Sequence, residues 1–322
     1  MQRKLSFSLF LQYEVYLLVR FLDAAINFVS EKNAAAFARF LGRVLFVLLK
    51  DRRDAAVENL TMAFGDERSP KWIRRTALRS FEHTGMLAVE FLRIRRWSQH
   101  QMADKIHFRG ALSQKLAMMP GHHGILLLNS HFGCFEVSAA TTKFLGFRLN
   151  LVQTGVRNPF LDTYFFSRGG EGTGLTTFGH KGIVKEMITR LQRGEMVACL
   201  ADQRGDAERG VFVEYFGHQA PANEAFARIA IEGNAHVLPL CTYRLDDGHY
   251  CSEFGDLIEL KLTGDRRTDL LNVSQQFHDR FEQWLRIRPE QGFWLQRKWR
   301  RKRSKRWLRR KRSSKNPKNT RP

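Results

Sequence analysis

His131 and Glu136 stand five residues apart in NSHFGCFEVS (residues 129–138), directly after the apolar run GILLL. An imidazole beside a carboxylate is the pair from which a general base is made. The carboxylate accepts from one ring nitrogen, fixes the tautomer and stabilises the imidazolium, leaving the other nitrogen to take a proton from a hydroxyl. Spacing alone does not make the case. Acids fill 32 of 322 positions, so about one His in ten has an acid at +5 by chance, and of the eleven histidines only His131 does. The setting carries the argument. GILLLN reads as a buried strand, the turn contains Gly133, and Glu136 falls in the first turn of the next helix, where the helix dipole favours a carboxylate. Acyl transfer from an activated thioester asks for little more than such a base, alignment of the acceptor and support for the oxyanion.

Other residues bear on the same chemistry. Cys134 raises a Cys–His nucleophile as a rival, although a residue three beyond a strand-end His need not face the ring. No metal site is read; His122 and His123 precede the strand, at its opposite end. Arg157, in VRNP just beyond a second strand, has the planar fork that pairs with phosphate oxygens. Asn158 either joins it or caps the helix opened by Pro159. Asp202 ends the strand MVACLA, with Gln203 as companion; it can orient the His site, hold Arg157 or Arg204, or position an acceptor. Lys181 flanks a helix and can meet an acidic group or stay solvated.

These residues need a frame. The first ~110 residues lack β-rich runs and read as helical, with a loop from Gly65 to Pro70. From about residue 122 strands and helices alternate. Strands are expected at 124–129, 147–154, 196–201, in GVFVEYFG, in HVLPLCTYRL and across 250–262. Helices are expected at 132–144, from Pro159 to Phe166, at 182–193, 222–232 and 269–286. This alternation predicts an α/β fold, a largely parallel mixed sheet flanked by helices. Functional residues of such folds gather at the carboxyl ends of strands, where His131 and Asp202 both belong. The expected organisation is a helical region over 1–110, an α/β domain over 111–295 and a basic tail over 296–322.

The charge is unevenly placed. Residues 297–322 hold 15 Lys or Arg and no acid, so the rest of the chain is only about +6 of the +21 total. A cationic arm of this kind meets a polyanion: a membrane surface, a nucleic acid or an acidic protein. Residues 7–29 are long and apolar enough to reach across a bilayer, but Glu14, Arg20 and Asp23 interrupt them. A helix in or tilted through the interface fits better than a clean span, because a charge at the bilayer centre costs roughly 2.5–3.5 kcal/mol. Phe37 to Leu49 reads as a second amphipathic helix. The four cysteines form no CxxC pair, which points to free thiols in a reducing compartment.

NSHFGCFE resembles the H-x4-D/E block of the glycerolipid and lysophospholipid acyltransferase superfamily. More narrowly it resembles the bacterial lipid A (lauroyl/myristoyl) acyltransferases and the related phosphatidylinositol mannoside acyltransferases. The similarity extends from about residue 40 to 299. LGRVLFVLLKDRRDAAVENLTMAF, VRNPFLD, KGIVKEMITRLQRGEMVACLADQ, VFVEYFG with the helix and HVLPL after it, and RPEQGFWLQRKW follow in the family's order. Cys134-Phe135 replaces the family's frequent Asn-Trp, and Gln296 stands where a His is common.

The resemblance implies a glycerol-3-phosphate acyltransferase-like fold with membrane-associated N-terminal helices. It implies an O-acyltransferase moving a fatty acyl group from acyl carrier protein or coenzyme A to a hydroxyl of a lipid A-like glycolipid or lysophospholipid. His131 is then the base and Glu136 its orienter, with Arg157, Asn158, Asp202 and Gln203 binding substrate. No cofactor beyond the acyl thioester and no metal is implied. Expected partners are anionic membrane lipids, the thioester carrier and the lipid acceptor, on the cytoplasmic face of the inner membrane, peripheral or monotopic. The alternative is a nucleic-acid-binding protein acting through its basic tail; the mildly basic body and the apolar N-terminal helices speak against specific nucleic-acid binding.

Overall fold

The structure is a computed structural model and describes residues 2–110, 124–145, 148–152, 156–166, 175–178, 182–206 and 210–299. Five helices open the chain: α1 (Gln2–Phe28), α2 (Glu31–Leu48), α3 (Lys50–Phe64), α4 (Pro70–Ile94) and α5 (Gln99–Lys105). Their ends are written locally. Ser30, Ser69 and Ser98 each cap a helix by accepting from a backbone N–H three residues on, and Pro70 occupies the first turn of α4. The helices α2 and α4 cross closely because glycine stands at the crossing. A Cβ on Gly85 would lie 2.3 Å from the Ala38 carbonyl, and one on Gly42 2.4 Å from that of Phe81.

The remaining elements alternate: β1 (Ile106–Arg109), β2 (Ile125–Asn129), α6 (Phe135–Phe144), β3 (Leu149–Val152), α7 (Pro159–Phe166), β4 (Leu175–Phe178), α8 (Ile183–Gln192) and β5 (Met196–Leu200). Then come β6 (Val211–Tyr215), β7 (His218–Ala222), α9 (Ala225–Glu232), β8 (His236–Arg244), β9 (Tyr250–Phe254), α10 (Arg266–Ile287) and a single 3-10 turn, Pro289–Gln291. Seven strands form one sheet in the order β1-β9-β8-β2-β5-β3-β4. Only β8 and β9 pair antiparallel; the other neighbours are parallel. β6 and β7 form a separate antiparallel hairpin.

The central strands are apolar throughout because both faces are covered. Along β2, Leu126 and Leu128 enter the larger core while Leu127 enters the smaller one on the other face. β5 divides the same way, Val197 and Cys199 against Met196 and Ala198. The larger core also takes Phe46, Leu60, Phe64 and Phe81 from α2–α4, so these N-terminal helices share the core of the sheet.

The α/β expectation holds, with local corrections. The helical reading of the first 110 residues holds to Lys105; Ile106–Arg109 is a strand, paired to β9. The helix expected from Phe132 begins at Phe135, and the one expected from Ala222 begins at Ala225 because Ala222 closes β7. β structure expected to Leu262 stops at Phe254, apart from a bridge at Ile258. Lys181, His122, His123 and the tail from residue 300 lie outside the described residues. Among the described residues no helix is long and apolar enough to cross a membrane. Asp23, one of the charges interrupting the apolar stretch, is buried; it accepts from Arg96 at 2.6 Å, from Asn27 and from the Tyr164 hydroxyl.

Candidate active site

Parallel pairing of β2 with β5 builds the site. The strands are registered Asn129 to Leu200, and the Ala201 N–H continues the ladder to the Asn129 carbonyl. Two residues past that pair on each strand stand His131 and Asp202. The His131 Nδ1–H donates to Asp202 Oδ1 at 2.8 Å, and the His131 backbone N–H donates to Oδ2 at 3.1 Å. Both carboxylate oxygens are thus spent on one residue, 71 positions away in sequence. With Nδ1 carrying the proton, Nε2 holds the lone pair.

The electrostatics follow from this contact. Burial alone depresses the His131 imidazole, but the charge and hydrogen bond of Asp202, joined by Glu136, outweigh it and the opposing charge of Lys298; its pKa stands above the ordinary 6.5. Burial raises the Asp202 carboxyl, yet His131 and then Lys298 pull it below the ordinary 3.8. Glu136 is the second carboxyl at the ring. Among the described residues no hydrogen bond joins it to His131. Burial lifts it to about 7, against the pull of His131 and Arg95. The ring's hydrogen-bonded orienter is therefore Asp202, and Glu136 contributes charge.

The turn carrying His131 is held from behind. Gly133 adopts φ +60°, its N–H donates to the Gln291 carbonyl, and Cys134 donates to the Thr242 carbonyl at 2.6 Å. His83 Nε2 donates to the Gly133 carbonyl at 3.1 Å, which leaves Nδ1 to accept from Arg244. Burial first, then Arg244, holds His83 at about 3, hence neutral. Arg244 donates twice to Glu90, at 2.6 Å each, and Tyr250 adds a third bond to that carboxylate. Cys134 is fully buried within this network, and burial together with Glu90 pushes its thiol well up. It does not line the cleft, so it is no nucleophile candidate.

His131 and Asp202 line a cleft of about 100 Å³. Its far wall comes from residues with no site role assigned from sequence: Asn59, Tyr215 and the closing segment through Trp299, including the Gln296–Trp299 stretch read as the start of a tail. Four buried polar atoms of the cleft lining have no hydrogen-bond partner among the described residues: Ser130 Oγ, Arg204 Nε and Nη2, and Trp299 Nε1. Burial holds the Arg204 guanidinium below its ordinary range despite Asp206. Unsatisfied buried donors behind a cleft surface call for an acceptor, either an ordered water or a ligand that reaches them.

The other expected site residues divide. Gln203 lines the cleft. Arg157 is exposed and does not line it. Asn158 caps α7 through the N–H groups of Phe160 and Leu161, and its amide donates to the Gln12 carbonyl of α1 at 2.6 Å. Among the described residues, His107, Asp247 and His249 form the one group with ligand atoms within 4.8 Å of one another, and none of them lines the cleft. Of the residues missed, Asn59, Tyr215 and Lys298 sit in stretches that carry the family resemblance but had no site role; His278 gave no sequence signal, since it acts through a contact 20 positions distant, at a spacing no local pattern reads.

The chain is 22% identical over 172 residues to a lipid A biosynthesis acyltransferase of Haemophilus influenzae, an overlap of 53% of this chain and 52% of that protein. The chain thus spans about half the length of the curated relative it matches. The family described as bacterial lipid A biosynthesis acyltransferase matches residues 1–301, and the chain belongs to that family.

Proposed function

We propose that this protein is an O-acyltransferase with His131 as general base. It moves a fatty acyl group from an acyl carrier protein or coenzyme A thioester to a hydroxyl of a lipid A-like glycolipid or lysophospholipid, at the cytoplasmic face of the inner membrane. The observation that carries the reading is the His131 ring, held through Nδ1 by Asp202 within a cleft that keeps four polar atoms unspent.

The steps follow from that geometry. Nε2 of His131 takes the proton of the acceptor hydroxyl, and the oxygen attacks the thioester carbonyl. The new C–O bond gives a tetrahedral oxyanion; collapse breaks the C–S bond, and the imidazolium returns its proton to the departing thiolate. Asp202 and Glu136 supply negative charge beside the imidazolium while it exists. Arg204 and Ser130, in the cleft lining, would meet an anionic or polar group of donor or acceptor. Arg157, exposed and outside the cleft lining, would serve a phosphorylated headgroup only beyond the cleft, and Asn158 is spent on capping its helix and on the Gln12 carbonyl.

The test is His131→Ala in the full chain, assayed with acyl carrier protein and coenzyme A thioesters in separate arms. Loss of transfer by about 10²–10⁴-fold or more, with membrane association retained, is expected. Turnover at the normal rate in that variant overturns the assignment. The nucleic-acid alternative draws no support from the family match.

A further inference from the structure

Lys298 is a half-buried cation beside the proton-transfer pair that the steps above do not use. Its position is tightly set. Asn59 of α3, itself 2% exposed, donates to the carbonyls of Trp294 and Gln296 at 2.7 and 2.6 Å and accepts from the Lys298 N–H at 3.1 Å. One side chain thus clamps the closing segment at three points. The lysine then crosses the Tyr215 ring, with Nζ 5.4 Å from its centroid. Nζ donates to the Asp202 carbonyl at 2.6 Å and to His278 Nε2 at 3.2 Å. His278 can accept there because its Nδ1–H is spent on the Ser274 carbonyl at 2.9 Å.

Both acceptors of the ammonium are neutral. The groups facing Lys298 are Asp202 beyond β5, Arg204 beside it, His278 from α10 and Tyr215 from β6. The neighbouring Arg297 is paired to Glu58 at 2.8 Å. The groups facing His131 are Asp202, Glu136 and Lys298. The positive charge of Lys298 is therefore directed at the Asp202–His131 pair rather than cancelled locally.

We propose that Lys298 is a positioning residue for His131, acting through Asp202. Seated on the Asp202 carbonyl, its ammonium fixes the strand-end turn that aims the carboxylate at the ring, and it holds the ring in its proton-accepting form. The inference rests on His131 being the base. Its sense follows from charge. The ammonium favours ionised Asp202 and opposes protonation of His131. Without it, Asp202 alone would draw a proton onto the imidazole, and a protonated ring is no base.

The experiment is the pH dependence of kcat/KM for the full chain carrying Lys298→Met or Lys298→Arg, between about pH 5 and 9. With Lys298→Met the acidic limb is expected to rise by about one pH unit, with up to about a tenfold loss near neutrality. Lys298→Arg, which keeps the charge, is expected to restore the limb. Burial, helped by Arg204 and opposed by Asp202, lowers Lys298 itself to about 8. The acidic limbs are therefore compared below that pH, where Lys298 carries its charge. A folded Lys298→Met enzyme whose acidic limb is unmoved overturns the proposal, as does an arginine variant that behaves like the methionine one. If Lys298→Met fails to fold, Lys298→Gln keeps the hydrogen bonds without the charge, and NMR titration of the His131 ring decides. A raised imidazole pKa supports the proposal and an unchanged one overturns it. That titration needs no turnover, so it separates this proposal from the base assignment, which His131→Ala tests.

Discussion

Two carboxyls attend one imidazole, and the geometry gives them unequal work. Asp202 grips both the ring and the backbone of His131, whereas Glu136 reaches the ring by charge alone. Asp202→Asn should then cost more activity than Glu136→Gln: about 10²–10⁴-fold, by loss of the tautomer, against about tenfold. Steady-state kinetics on the two variants check the order, and equal losses would contradict it. Glu136 also leaves a mark on stability. Its folded value of about 7 lies above the ordinary 4.5, so the native state holds a proton that the unfolded chain sheds. Stability must fall as pH rises from about 4.5 to 7 and stay lowered beyond. Glu136→Gln should remove that fall, gaining roughly 1–3 kcal/mol at pH 8 and little at pH 4, as read by denaturant titration. The His131–Glu136 pair was legible because both residues sit in one short block. The Asp202 contact was legible only as one of three alternatives, because the adjacency of β2 and β5, which brings residues 71 positions apart together, is what selects it.

The turn between β2 and α6 is as constrained as the residues it presents. A Cβ at Gly133 would lie 2.1 Å from the Thr242 carbonyl, on a backbone already at φ +60°. Gly133→Ala should destabilise the fold by roughly 1–3 kcal/mol from conformation alone, with the clash added, and should displace the imidazole. Thermal unfolding with a parallel activity assay measures both. Behind the turn, Arg244 and Glu90 form a buried bidentate pair whose side chains are 16% and 6% exposed. Arg244→Met strands the carboxylate and should cost roughly 3–5 kcal/mol, much of it recovered when Glu90→Leu is added. The strands and helices that carry this turn were readable, because β2, β5 and β8 are apolar runs and α8 and α10 have helical spacing. β1, β4 and β7 were not. Each has four or five residues, β7 contains a proline, and β1 shows one buried position out of four, so neither alternation nor an apolar run announces it. Their strand character comes from the neighbour they pair with.

At the scale of the molecule, the N-terminal helices present apolar surface that the fold does not cover. Leu18, Phe21 and Phe28 of α1 are 57%, 69% and 93% exposed, and Phe40, Val47 and Leu48 of α2 are exposed as well. So many exposed large apolar side chains on two helices mark an interaction face. Polar contacts attach this face to the site region: Asp23 of α1 binds Arg96 and Tyr164, while Arg95, beside Arg96, acts by charge on Glu136. A lipid surface docked on α1 and α2 would thus lie against the elements that frame His131. The basic arm would add a second attachment of different physics. Apolar insertion is indifferent to salt, whereas attraction between the 13 cationic side chains of residues 300–322 and an anionic leaflet is screened over about 3 Å at molar ionic strength. Sedimentation with phosphatidylglycerol vesicles can separate the two. Removing residues 300–322 should weaken binding at low salt and leave it unchanged at about 1 M. Phe21→Ser with Phe28→Ser should weaken it at both, because together they withdraw apolar area worth roughly 3–5 kcal/mol from the interface. Binding of that double variant at wild-type strength in high salt would mean that α1 does not meet the lipid, and the exposed face would then have to belong to a protein partner.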